Sequence, residues 1–134
     1  MDCLFCKIIN KEIPNFTIYE DENVLAFLDI FPHALGHTVV IPKKHFHNPL
    51  EMSEDEFKNF SVGIKKAQDK IEAVLKPAGY NVGWNQDEVG GQVVPHLHVH
   101  IFPRYEGDGG GNMHSIINNP GGQAVKDVFE LFTK

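Results

Sequence analysis

The 134-residue sequence predicts a single α+β domain, and three observations carry that prediction. Five short runs are rich in β-forming residues, one long stretch keeps its apolar residues three and four apart behind a capping box, and no internal repeat or linker divides the chain. Taken in order, Met1 to Asn10 holds Leu4, Phe5, Ile8 and Ile9 at helical spacing and stops before Ile13-Pro14, so a short helix is expected there. Thr17–Glu20 and Val24–Ile30 are β-rich runs parted by Asp21-Glu22-Asn23, which reads as a hairpin connection. Gly36 releases a third run, His37–Ile41, closed by Pro42, and these three runs read as antiparallel strands. In Ser53-Glu54-Asp55-Glu56 the Ser53 hydroxyl can accept from the Glu56 amide while the Glu56 carboxylate reaches back, which starts a helix. Phe57, Phe60, Ile64, Ala67, Ile71, Val74 and Leu75 then mark one long amphipathic helix that ends at Pro77 and Gly79. Tyr80–Gln86 and His96–Phe102 read as the fourth and fifth strands, joined by a turn at Gly90-Gly91. Residues 107–111 read as a flexible glycine loop, and 123–134 as a short terminal helix or docking arm.

Composition sets outer limits on function. Twelve Lys and Arg stand against 18 Asp and Glu, a formal charge of −6, which argues against sequence-independent nucleic-acid binding. A phosphate ligand must therefore find local, directed donors. No apolar run approaches the ~18 residues of a membrane span, and no cleavable leader pattern follows Met1-Asp2, so cytoplasmic residence without membrane association is expected. At this length folding buries roughly two-thirds of the unfolded surface, so neither disulfides nor a metal is needed merely to reach a core. The two cysteines, Cys3 and Cys6, are too close in sequence to staple distant segments. They read as metal ligands, a redox pair or packing.

The informative stretch is Gln92-Val93-Val94-Pro95-His96-Leu97-His98-Val99-His100-Ile101-Phe102. On a strand, alternate residues share a face, which would set His96, His98 and His100 in a row about 6.6 Å apart with Leu97, Val99 and Ile101 behind them. Three readings compete. The imidazoles line a solvated face, or a His-x-His pair, His96 and His98, holds a catalytic zinc with an open position, or a neutral imidazole attacks phosphorus while its neighbours hold the phosphoryl oxygens. Gly90-Gly91-Gln92 immediately before the run favours an anion, since glycine lets backbone amides approach closely, and Asn85 adds an amide donor. No Gly-Lys-Ser or Gly-Lys-Thr follows a glycine-rich run, so this is not a P-loop.

The run from His96 to Phe102 resembles the signature of the histidine triad (HIT) superfamily. Cys3–Ile9, Leu25–Ile30, Gly36–His45 and Gly91-Gln92 fall in that family's order, and the resemblance extends from Cys3 to about Tyr105. It implies a five-stranded antiparallel sheet with one long and one short helix, commonly paired into a two-fold homodimer, with residues 106–134 as an extension. It also implies hydrolysis or transfer at the α-phosphate of nucleoside phosphoramidates or dinucleoside polyphosphates through a nucleotidyl-histidine. Carried over, His98 is the nucleophile, with His96 the first triad member. His100 and His37 lie beside the phosphate, and Asn85, Gln92 and Val93 match positions that orient it. Asp29 resembles the carboxylate that accepts from ribose hydroxyls, while Phe5, Ile8, Phe27 and Ile30 match an apolar slot for a purine, adenine by preference. For those four, ordinary core packing is an equal alternative. In some bacterial relatives of this kind the cysteine pair joins the positions of His45 and His96 around a structural zinc, a ligand set of Cys3, Cys6, His45 and His96. His33, His47 and His114 are read as surface histidines.

One departure bears on substrate. Where relatives commonly carry Ser or Thr after Gly-Gln, this chain has Val93, which has no hydroxyl to donate to a phosphate or leaving group. The stretch Pro103–Asp108 looks more like bacterial members assigned to dinucleoside polyphosphates. A metal-dependent hydrolase and a non-catalytic nucleotide-binding module remain the rival readings.

Overall fold

The computed structural model describes residues 2–133. Along the chain come α1 (Leu4–Ile9), β1 (Thr17–Glu20), β2 (Val24–Leu28), β3 (Thr38–Pro42), α2 (Glu54–Leu75), β4 (Gly79–Gly83), β5 (Val99–Arg104) and α3 (Val125–Leu131). The strands form one sheet in the order β1-β2-β3-β5-β4 with every pairing antiparallel, as the α+β reading expects.

Period-two alternation divides the sheet into two differently covered faces. Val24, Ala26, Val40, Val99 and Ile101 turn to one side, where Phe60, Ala67 and Ile71 of α2 cover them to form the main core. The Ser53–Glu56 capping box forms as the sequence predicts, with both reciprocal hydrogen bonds present. Gly63 lets α2 approach the sheet, because a Cβ at that position would lie 2.5 Å from Val24 Cγ2. Leu25, Phe27, Val39 and Ile41 turn to the opposite face, and α1 covers only one end of it with Phe5 and Ile8. The remainder of that face is free to carry a site.

Several boundaries differ from the sequence reading. Helix α1 starts at Leu4, with Cys3 as its N-cap accepting from the Cys6 amide. Met1, placed in that helix from sequence, and Lys134, placed in the terminal arm, lie outside the described residues. Strand β2 stops at Leu28, not Ile30, and β4 at Gly83, not Gln86, because Gly83 is the last residue of β4 to pair with β5, opposite His100. Strand β5 runs from Val99 to Arg104, not from His96 to Phe102. The chain bends at His96, whose amide donates to the Val94 carbonyl, and the Leu97 amide donates to Phe46 in the loop after β3 instead of joining the ladder. The tail is helical over Val125–Leu131, with no residue of α3 buried. Among the described residues no helix is long and apolar enough to cross a membrane.

Candidate active site

The face left open by α1 collects the histidines, though not in the row the alternation predicts. The bend at His96 turns its ring out of line and into a cluster with Cys3, Cys6 and His45. His96 Nδ1 lies 3.4 Å from Cys3 Sγ, 3.7 Å from Cys6 Sγ and 3.1 Å from His45 Nδ1, while His45 Nδ1 lies 3.3 Å from Cys6 Sγ. The opposite nitrogen of His96, Nε2, donates to the Pro42 carbonyl at 2.9 Å. That bond assigns the tautomer and aims the lone pair of Nδ1 at the sulfurs. Burial holds the His96 ring neutral, its pKa pushed down to about 4, and pushes the Cys6 thiol up. Both nitrogens of His96 are thus engaged away from His98, which removes the geometry of a His96–His98 metal pair.

His98 is held by the backbone of the residue two before it. Its Nδ1 donates to the His96 carbonyl at 2.8 Å, so Nε2 carries the lone pair. The ring is packed edge-on between Phe5 and His100, with centroids 5.0 and 5.2 Å away. No described protein group bonds Nε2, yet among the described residues no buried polar side-chain atom lacks a partner, so this nitrogen is accessible to solvent.

His100 is fixed by a chain of hydrogen bonds that starts at a main-chain amide. The His33 N–H donates to His37 Nδ1 at 3.2 Å, which makes His37 Nε2 the donor to His100 Nδ1 at 2.9 Å. His100 consequently carries its own proton on Nε2. Burial, helped by His98 and then His37, pushes the His100 pKa down to about 4, and burial also lowers that of His37. Both rings are neutral donors near neutral pH. Asp29 stands beside them, Oδ2 3.7 Å from His37 Nε2, with Oδ1 accepting from the Phe31 amide. Sequence assigned His33 to the surface, and its ring is exposed. The backbone amide that starts the chain has no signature in residue identity.

The remaining predicted residues fall into three groups. Asn85 is exposed and lines the same cavity as Asp29, His37 and His100, with Gly91 in a left-handed conformation against its carboxamide. Phe5, Ile8 and Phe27 are buried in the smaller core, whereas Ile30 is exposed. Gln92 does not project into the cavity: its amide nitrogen donates to the His47 and Val94 carbonyls, and its oxygen accepts from the Asp87 amide. It braces the loop that precedes the histidines. The Val93 side chain is 89% exposed. His47, read as a surface residue, is half-buried and pairs with Asp87 at 3.1 Å.

The sequence itself has counterparts arranged in the same order. The family model for the HIT domain matches residues 10–107. The chain belongs to the HIT family. An uncharacterized HIT-like protein of Methanocaldococcus jannaschii is 55% identical over 107 residues, 80% of this chain and 82% of the relative. The adenosine 5'-monophosphoramidase of Schizosaccharomyces pombe is 38% identical over 104 residues, 78% of this chain and 75% of that one. Among solved HIT structures, one from Bacillus subtilis superposes with a TM-score of 0.86 at 39% identity, covering 99% of this chain and 94% of the other. The five-stranded antiparallel sheet is therefore the HIT fold, and the residues after 107, α3 among them, lie beyond the matched HIT domain.

Proposed function

We propose that this HIT protein is a hydrolase that transfers a nucleoside monophosphate, adenylate by preference, from an amine to His98 and then to water. The observation that carries this reading is His98 itself, with Nδ1 tied to the His96 carbonyl and Nε2 free of any hydrogen bond to a described protein group. In the first step a bond forms between His98 Nε2 and the α-phosphorus while the phosphorus–nitrogen bond breaks. Its electron pair departs with the amine nitrogen, which takes a proton from water. The hydroxide so formed attacks the phosphorus, the bond to His98 breaks, and AMP leaves with the ring neutral again. His100 Nε2–H, together with the Asn85 amide, supports the phosphoryl oxygens, and Asp29 accepts from the ribose. The Schizosaccharomyces pombe relative named for the phosphoramidase activity supports the choice of bond. The position of Val93 removes one hydroxyl donor and leaves the amine to be protonated by solvent.

Mass spectrometry of protein quenched during turnover of adenosine 5'-phosphoramidate tests this. AMP is expected on the peptide containing His98, and His98→Ala is expected to lose the adduct with at least a ~10³-fold fall in kcat. Unchanged turnover in that variant would refute the assignment.

We also infer that Cys3, Cys6, His45 and His96 hold a structural zinc. A tetrahedral zinc with bonds of about 2.3 Å to sulfur and about 2.05 Å to nitrogen sets sulfur and nitrogen roughly 3.6 Å apart and two nitrogens roughly 3.3 Å apart. The measured 3.3–3.7 Å and 3.1 Å fit that set. The Pro42 carbonyl on His96 Nε2 is the expected outer partner of a metal-bound imidazole. Such a metal would fasten α1 to the segment entering β5, and no chemical step passes through it. A two-fold dimer, with residues 106–133 as an extension of the single domain, completes the reading; apolar residues left exposed on α2 and α3, including Val74 and Phe129, support it.

A further inference from the structure

The loop between β4 and β5 brings Asn85 to the cleft, and one residue of that loop is held in an unusual backbone state. Asp87 has φ 62° and ψ 168°, a combination that only glycine adopts freely. Its side chain does not account for this locally. Asp87 precedes the 3₁₀ turn Glu88–Gly90 but makes no side-chain capping bond to it, although an aspartate in such a place ordinarily accepts from the turn's amides. The carboxylate instead sets Oδ1 3.1 Å from His47 Nε2. We infer that His47 and Asp87 form a clasp of two positioning residues, which holds Asp87 in its glycine-like state and so fixes where the Asn85 amide meets the transferred phosphate. The inference rests on the proposed transfer to His98 and adds two residues that touch neither substrate nor reacting atoms.

Hydrogen bonds make the loop turn as one body about Asp87. The Asp87 carbonyl accepts from the Gly90 and Gln92 amides at 3.1 and 3.0 Å, and its N–H donates to Gln92 Oε1 at 2.8 Å. Gly91 in turn lies against Asn85, since a Cβ there would sit 3.7 Å from Asn85 Cγ. Relaxation of Asp87 to a negative φ would break the bonds at its N–H and carbonyl and part Asn85 from Gly91.

The anchor outside the loop is the segment after β3. Gln92 Nε2 donates to the His47 carbonyl at 2.9 Å, the Leu97 amide donates to the Phe46 carbonyl at 2.7 Å, and the His47 N–H donates to Glu51 Oε1 at 2.7 Å. His47 therefore meets the loop twice, with its carbonyl on Gln92 and its ring on Asp87. An exposed pair by itself contributes little to global stability. Here the segment that bears the ring is already fixed, so the contact acts on the choice between two backbone states of one residue.

The test asks whether glycine at position 87 makes the clasp dispensable. We would measure kcat/KM for adenosine 5'-phosphoramidate in the parent, His47→Ala, Asp87→Ala, Asp87→Gly and the double variant His47→Ala/Asp87→Gly. His47→Ala keeps the carbonyl on Gln92 and removes only the ring. It should lower kcat/KM on the order of tenfold in the parent and add no further loss in Asp87→Gly. Asp87→Ala should fall further than Asp87→Gly, although both lack the carboxylate, because only glycine holds a positive φ without help. An independent readout is the emission of Trp84, the chain's one tryptophan, whose Nε1 donates to Gln86 Oε1 at 3.2 Å beside Asp87. That emission should shift in His47→Ala and not differ between Asp87→Gly and the double variant. An equal effect of His47→Ala in both backgrounds, as loss of a metal at neighbouring His45 would produce, overturns the clasp. Equal activity of Asp87→Ala and Asp87→Gly does the same. Absence of an AMP adduct on His98 in the parent would instead remove the transfer reading, and Trp84 emission across the same variants then decides the clasp alone.

Discussion

In the proposed mechanism single rings set the chemistry, and their proton positions follow from backbone geometry. His100 offers a direct check. Its unfolded ring binds a proton below about 6.5, whereas burial in the fold delays that until about 4. Between those values the unfolded chain holds more protons, so stability rises with pH. The contribution of the neutral ring is therefore complete above about pH 6.5 and is lost as pH falls from there to about 4. Urea midpoints measured across this window should decline more steeply for the parent than for His100→Gln; parallel curves would show that the ring does not titrate this way. At this scale the sequence displayed the residue types well, since His98, His100, Asp29 and Asn85 reach one region. What it did not display was direction. His96 departs from the row because of one bend, and Gln92 is engaged by loop carbonyls that no side-chain pattern announces.

Secondary-structure elements were legible wherever a local rule and the tertiary fold agreed. The capping box and the three-and-four spacing located α2 because both are written in contiguous side chains. The limits of β4 and β5 were less legible, since a ladder ends where its partner ends, and the partner lies elsewhere in the chain. Gly63 is a second example. It sits inside α2, where alanine would ordinarily stabilise a helix by about 0.5–1 kcal/mol, so sequence alone marks it as a weak point. Contact with Val24 reverses the expectation. Overpacking costs about 1–3 kcal/mol, so Gly63→Ala should lower stability by a net ~1 kcal/mol in denaturant unfolding, and any gain would show that α2 shifts outward freely. Ser53→Ala removes one of the two capping bonds and should cost about 1 kcal/mol.

Across the whole molecule, the Cys3, Cys6, His45 and His96 cluster is a long-range tie on the open face, joining residues 93 positions apart. One zinc per chain is expected by elemental analysis. Its removal by a chelator should lower the unfolding temperature by roughly 10 °C, taking ~3 kcal/mol of linkage and about 3 °C per kcal/mol. An unchanged melting curve in Cys6→Ser would show that the cluster needs no metal. Sedimentation at micromolar concentration should give the mass of two chains, and a monomer would dismiss the two-fold pairing. The chain of N–H groups running from His33 through His37 to His100 has a consequence for behaviour in brine. Its donors are uncharged, and the molecule around them carries −6, so under the proposed function a nucleotide would be gripped at short range by aligned dipoles while being repelled from afar. Added electrolyte damps only the repulsion. KM should hold steady or fall as ionic strength rises, opposite to a site built on lysine and arginine.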